Sequence, residues 1–468
     1  MNNTILPVCL PNCYSYDILE ELKVDIFVDA NVYDIPITAL FQMAARKNTK
    51  RGFLFVSKIL GKHIPVFPLI PLLGGVALAA RYASIMYHEQ SFEKKWDFAQ
   101  ALTISAVGEK VWEDISHHPL PLPAKTLFIG FAETATGLGH GMFSSFAENA
   151  QYIHTTRENI LGIDNRVEFT EEHSHAMDHY CYAIDPALFA NEDMIVLVDD
   201  EITTGKSALN FIKAIQSHYP RKKYGVVSLL DWRSPVEKQK FVAMENDLEI
   251  RIHAISLLSG RITVTGQPVV DDHQHKPSQP LLGRVKPIVE TIVLGENLGP
   301  LLEFSSLNTN MDKNTVPYLQ ATGRFGITSQ EQRDLETKLQ QVGLFLKQKR
   351  QGTKTLCLGT GEFMYIPFKI ASYMGEGVRV QSTTRSPIYP AKHENYAIKQ
   401  AVTFASPDDP LMIHYVYNIP LGYYDEAFIF LERAVDTGAL ESLLQAFEPL
   451  AIPRIHFVIC VDSKEGKE

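Results

Sequence analysis

The apolar positions of this chain follow two alternating rhythms. Short β-branched runs, apolar on both faces, occur at residues 126–130 (TLFIG), 194–198 (MIVLV) and 224–231 (YGVVSLLD). Each is too brief for a helix and predicts a strand buried within a parallel sheet. Segments with helical spacing lie between them, as at residues 207–215, and strands alternating with helices predict an α/β fold. Residues 64–86 (IPVFPLIPLLGGVALAARYASIM) are long enough to span a bilayer, but they contain three prolines, a Gly-Gly pair and Arg81. They read as a loop followed by a buried core helix rather than a membrane segment. Residues 266–287 hold four prolines and few large side chains, the pattern of a linker.

The second half repeats the first. KTLFIGFAE at Lys125 recurs as KTLCLGTGE at Lys354, and the triplet Thr155, Thr156, Arg157 recurs as Thr383, Thr384, Arg385 at nearly the same distance. A V-x-F followed by H-Y-x-Y-x-I occurs at Val167 and His179, then again at Val402 and His414. IVLVDDEITTGKSAL faces FIFLERAVDTGALES. Four matches in one order predict a duplicated sheet, with strands at Leu356, Val380, Tyr415 and Ile429 ordered as those at Phe128, Ile153, Tyr180 and Val196. The expected organisation is an amino-terminal hood over residues 1–100, a core over 101–265, a linker over 266–290 and a degenerate second copy over 291–468.

The chemistry concentrates in residues 194–211. A strand's carboxyl end meets a helix's amino end there, where freed N–H groups and the helix dipole favour a phosphate. Asp199 and Asp200 precede Thr203, Thr204, Gly205, Lys206 and Ser207. A nucleoside triphosphate loop would need glycine where Asp200 stands, so that motif fails. Carboxylates can instead accept hydrogen bonds from a sugar diol, which suits a ribose bearing a 5′-phosphate.

VLVDDEITTGKS resembles the signature of the type I phosphoribosyltransferases. The resemblance implies 5-phosphoribosyl-1-pyrophosphate (PRPP) as one substrate, a small-molecule acceptor as the other, Mg²⁺ as cofactor and a parallel sheet flanked by helices. It places Asp199 and Asp200 at the ribose hydroxyls and metal, and Thr203, Thr204, Gly205, Lys206 and Ser207 around the 5′-phosphate. It assigns the pyrophosphate loop to Ala132, Glu133, Thr134, Ala135, Thr136 and Gly137. Arg157 joins the two aspartates as a catalytic candidate, with His173, His175 and His179 on a segment that either closes over PRPP or gathers a metal. The basic run Arg46, Lys47, Lys50, Arg51, Lys58 and Lys62 lies in the hood, either as a solvated face or as partners for pyrophosphate. Thr203 stands where 6-oxopurine enzymes carry Asp, which favours an orotate-like or noncanonical acceptor.

In the second copy Glu432 and Arg433 replace the aspartate pair, and Ala439 and Leu440 replace Lys206 and Ser207. An arginine cannot accept a hydroxyl proton, so this copy is expected not to use PRPP. Gly359, Gly361, Glu362, Thr384, Arg385 and Ser386 form its candidate site, with Arg385 suited to another anionic ligand. The arrangement resembles the bacterial phosphoribosyltransferases followed by a TRSP domain, found in tellurite-resistance and stress-response gene neighbourhoods, whose expected product is a nucleotide-like metabolite. Two other readings stay open: a PRPP-sensing regulator without turnover, and a diphosphokinase that makes PRPP.

Composition narrows the partners. The 468 residues carry 44 Lys and Arg against 54 Asp and Glu, a net charge of -10 that offers no general attraction for nucleic acid. Of five cysteines, Cys9 and Cys13 form a C-x-x-x-C pair with no second pair or histidine cluster beside it, which reads as two buried thiols rather than a zinc site, and the others are scattered, so no disulfide framework but a reducing cytoplasm is expected. No basic and apolar leader opens the chain, so neither secretion nor a membrane is expected. A homodimer stays open.

Overall fold

The computed structural model describes residues 12–19, 21–46, 52–88, 91–169, 179–268 and 286–462. Two parallel sheets follow one plan. In the first, strands Arg251–Thr265, Lys223–Asp231, Met194–Ile202, Thr126–Gly130 and Ala150–His154 lie side by side. In the second, Ile288–Val293, Arg454–Val461, Glu426–Arg433, Thr355–Gly359 and Val378–Ser382 do the same. Counting from the lysine that opens each copy, both sheets run fourth, third, first, second. The first strands, Thr126–Gly130 and Thr355–Gly359, are buried at every residue, which is why neither shows polar alternation.

One expectation needs correction. Tyr180 and Tyr415 do not enter the large sheets. Each lies in a separate antiparallel hairpin, Arg166–Phe169 with His179–Tyr182 and Ala401–Ala405 with Ile413–Tyr417. The hairpins still occupy matching places, because Thr156 pairs with Tyr180 as Thr384 pairs with Tyr415. The final apolar stretch of the first copy is likewise one long strand, Arg251–Thr265, whose outer half pairs antiparallel with Leu22–Asn31.

The apolar helix spans Leu69–Tyr87 and passes the length and hydropathy test for a membrane span, with 78% of that window buried inside the fold. It crosses Thr136–Phe143 so closely that a Cβ on Gly75 would come 2.5 Å from the Gly141 carbonyl carbon. Gly75 therefore serves a helix crossing, since only glycine admits two backbones at that distance, while Gly74 makes room for the Ile59 side chain.

Each copy sends an arm to the other. Val66 pairs antiparallel with Val380, and Ser382 N donates to Gly61 O at 2.8 Å, so the arm before the first copy covers the second copy's edge strand. Reciprocally, Ile327–Thr328 pairs with the first copy's edge strand at Tyr152 and Gln151, and His154 N donates to Gly323 O at 3.3 Å. Edge strands expose unpaired backbone groups, and this exchange satisfies both. The result is an intramolecular pseudo-dimer.

Cys9, Lys47, Lys50, Arg51, His173, His175 and most of residues 266–287 lie outside the described residues. Cys13 is exposed and Cys181, Cys357 and Cys460 are buried, all as free thiols.

Candidate functional site

The acid pair ends a longer strand than the apolar run suggested. Met194–Ile202 continues through Asp199, Asp200 and Glu201 because it stays paired with Lys223–Asp231 to its last residue. Asp199 Oδ1 accepts from the Asp200 amide at 2.9 Å, which fixes the turn of the first carboxylate. Burial, reinforced by the Glu201 carboxylate, pushes the Asp200 carboxyl above its ordinary range, and Lys62 opposes the shift.

Helix Lys206–His218 starts directly after Gly205, which has φ +73° and caps it. Thr203 and Thr204 precede the cap, and the Lys206 amide donates to Thr204 Oγ1 at 3.3 Å. The reason for glycine is broader than ligand approach. A Cβ there would lie 2.5 Å from the Phe241 ring, and φ is in the left-handed region. Gly205→Val is therefore expected to lower the melting temperature without any ligand, by a destabilisation of about 2 kcal/mol or more. Calorimetric melts with and without ribose 5-phosphate check it; an unchanged ligand-free melt would return the whole requirement to the ligand.

The proposed pyrophosphate loop is shorter than expected. Ala135 caps helix Thr136–Phe143, Thr136 and Gly137 are buried inside it, and Gly137 packs against Met364. Only Glu133 and Thr134 of the six residues are partly exposed. Glu133, moreover, turns away from any anion. Its Oε2 lies 2.9 Å from Lys62 Nζ and accepts from Thr384 Oγ1 at 3.1 Å and the Arg385 amide at 3.4 Å. Burial raises the Glu133 carboxyl, but Lys62 and then His414 outweigh that and hold it at about 2.

The same bridge exists in reverse. Glu362 accepts from Thr156 Oγ1 at 2.6 Å and the Arg157 amide at 2.9 Å, and Arg324 approaches it at 3.7 Å. The arginine-bearing loop of each copy thus docks on the other copy's first loop. Residues after the second triplet also dock on the first hood: the Tyr389 amide donates to Ala45 O at 3.0 Å and the Ala45 amide to Tyr396 Oη at 2.8 Å. Thr384 Oγ1 and the Arg385 amide, expected to serve the second copy, are thus held against Glu133 of the first, while Arg385 lines a cavity before the second copy together with Gly361 and Glu362. Arg157, expected in the first site, lines the same cavity. His179 is 1% exposed and packs on Phe169, which removes it from the surface expected to meet pyrophosphate.

Sequence reasoning missed Arg324, Glu158 and Tyr318. They close the second copy's equivalent of the aspartate pair. Arg324 Nη1 lies 2.5 Å from Glu432, its Nη2 lies 3.0 Å from Glu158, and Arg433 lies 3.1 Å from Glu158 and 2.8 Å from Ser306 Oγ. Tyr318 Oη donates to Glu158 at 2.6 Å. The available signal was the recurrence of Gly61-Lys62 as Gly323-Arg324 ahead of each copy. At the first copy's site Ser386 stands in the place of Glu158 and Asp200 in that of Arg433, so of the two arginines in the second site's network only Arg324 has a cationic counterpart there, Lys62. Beside the closed network lies a cavity of ≈ 890 Å³, which none of residues 199–207 lines. Among the described residues no group of three or more His, Cys, Asp or Glu side chains is placed to hold a metal ion.

Residues 40–261 match the family described as phosphoribosyl transferase, and residues 321–447 match the TRSP domain found carboxyl-terminal to it. Among solved structures, adenine phosphoribosyltransferase from Leishmania tarentolae is 16% identical with a TM-score of 0.22, over 34% of this chain and 70% of that one. The Trypanosoma brucei enzyme, solved with AMP, pyrophosphate and ribose 5-phosphate, is 16% identical with a TM-score of 0.24, over 33% and 65%. Orotate phosphoribosyltransferase from Mycobacterium tuberculosis, solved with PRPP, is 15% identical with a TM-score of 0.18, over 42% and 96%. No curated protein sequence matches the chain.

Proposed function

From a chain that carries a phosphoribosyl transferase domain followed by a TRSP domain, we propose that the first copy transfers the 5-phosphoribosyl group of PRPP to a small-molecule acceptor and releases pyrophosphate. The observation that carries this reading is the acid pair Asp199 and Asp200 on a strand end, followed at once by a glycine-capped helix start. Ligands of open α/β sheets bind outside such strand ends.

In this reading the acceptor attacks C1 as the bond from C1 to the pyrophosphate oxygen breaks, and the ribose ring gains oxocarbenium character. Amides around Thr203, Thr204, Gly205, Lys206 and Ser207 hold the 5′-phosphate. Asp199 and Asp200 accept from the ribose hydroxyls and are the groups in this site suited to Mg²⁺, which would neutralise charge on the departing diphosphate. Lys62, which pairs with Glu133 and acts on the Asp200 carboxyl, is the cation this reading assigns to the developing negative charge. The closed network at Glu432 and Arg433 supports a second copy that does not turn over PRPP, and it weakens the diphosphokinase alternative.

A screen of PRPP and Mg²⁺ with candidate acceptors for pyrophosphate release tests the function. The expected result is acceptor-dependent release, lowered about 10- to 100-fold in kcat by Lys62→Met with PRPP affinity changed less. PRPP binding without turnover on any acceptor would favour a sensor. Full activity of Lys62→Met would leave Lys62 with a packing role against Glu133.

A further inference from the structure

The cavity before the second copy is lined by none of residues 199–207 and has its own chemistry. Its volume of ≈ 890 Å³ is that of a small-molecule pocket. Nine carboxylates line it against five cations, and two of those cations, Arg324 and Arg433, are committed to Glu158 and Glu432. Asp436 stands where the first copy has Thr203, and Ala439 stands where it has Lys206, so a phosphate meets a negative charge and has lost its lysine.

A second, independent feature points to a ligand. His414 is 5% exposed and lines the cavity, and its Nε2 has no hydrogen-bond partner while Nδ1 lies 3.1 Å from Thr383 Oγ1. Glu133 Oε1, also on the wall, is buried and unpartnered although Oε2 is fully engaged. Burial holds His414 at about 4, which leaves its ring neutral near pH 7. A buried polar atom without a partner is costly, and a bound ligand is the usual remedy. The dispersed carboxylates do not form a metal-ion group among the described residues, so a bare divalent cation does not fit.

We propose that this cavity is a second binding site, for an unphosphorylated polyhydroxy amine whose ammonium faces the Asp436 side and whose hydroxyls reach His414 and Glu133. The assignment stands independently of PRPP turnover. Calorimetry on the full chain near pH 7, with ribose 5-phosphate saturating to occupy the first copy, compares glucosamine, glucose and glucose 6-phosphate. Glucosamine binds about 10-fold more tightly than glucose, and glucose 6-phosphate gives no detectable heat, because the shared sugar ring carries a cation, no charge and an anion in turn. Asp436→Asn, on the cavity wall outside the buried network, lowers glucosamine affinity about 3- to 10-fold and leaves ribose 5-phosphate affinity unchanged. Binding of glucose 6-phosphate as tight as glucosamine, absence of binding by all three, or indifference to Asp436→Asn would each overturn the proposal.

Discussion

Arg324→Met is expected to destabilise the folded chain by about 3–5 kcal/mol, because breaking a buried pair strands its partners. Arg324 is 2% exposed and is the common partner of Glu158, Glu432 and Glu362. Methionine roughly keeps the volume but leaves the largely buried Glu432 and Glu362 and the partly exposed Glu158 with Arg433 as the remaining cation of the network. Those carboxylates must then protonate or admit water. Chemical denaturation near pH 7 measures the loss, which should shrink as the pH falls and the stranded carboxyls take up protons. A double variant, Arg324→Met with Glu432→Gln, should recover part of it. Equal stability of Arg324→Met and the parent would show that the network is not what holds the two copies together.

Asp200→Asn is expected to weaken Mg-PRPP binding and lower turnover by about 100-fold or more, while making the ligand-free protein more stable. The two effects have one origin. The folded state raises the Asp200 carboxyl above its unfolded value, first through burial and then through Glu201. Between those two values the folded chain binds the extra proton, so stability falls as pH rises through that window and the full penalty persists above it. An amide carries no charge to bury, hence the gain near pH 7, and the parent should approach the variant as pH drops through the window. An amide also cannot supply the charged acceptor that a diol and a metal favour, hence the loss of binding. Melts of both proteins from about pH 4 to 8, beside PRPP titrations, test the pair together. A variant that is less stable at pH 7, or that binds PRPP as the parent does, would remove Asp200 from the ribose site.

Much of this was readable along the chain. The runs at 126–130 and 194–198 are strands because apolar residues on both faces have no stable place except between other strands, and the helix after Gly205 begins where its apolar spacing does. The duplication was readable because backbone topology is encoded in the order of such segments, and TTR, H-Y-x-Y-x-I and the two lysine-led strands keep that order. Gly137 was misread as a loop glycine: it lies in helix Thr136–Phe143 against Met364, and a glycine serving close packing looks the same in sequence as one serving a ligand.

What the sequence by itself determined, then, is two copies of one sheet and an acid pair joined to a glycine-capped helix start in the first. Only the tertiary structure decided whose residues complete which site. Glu133 and Thr384 are separated by 251 positions, and nothing local marks them as partners. They meet because each sheet ends in an edge strand with unpaired backbone groups, and the arm that satisfies each edge comes from the other copy. That exchange carries Lys62 to Glu133 and Arg324 to Glu432, and it fixes the TRSP segment against the first hood. Periodicity records which face of a segment is buried, whereas the identity of the surface that buries it is settled only when the two copies pack.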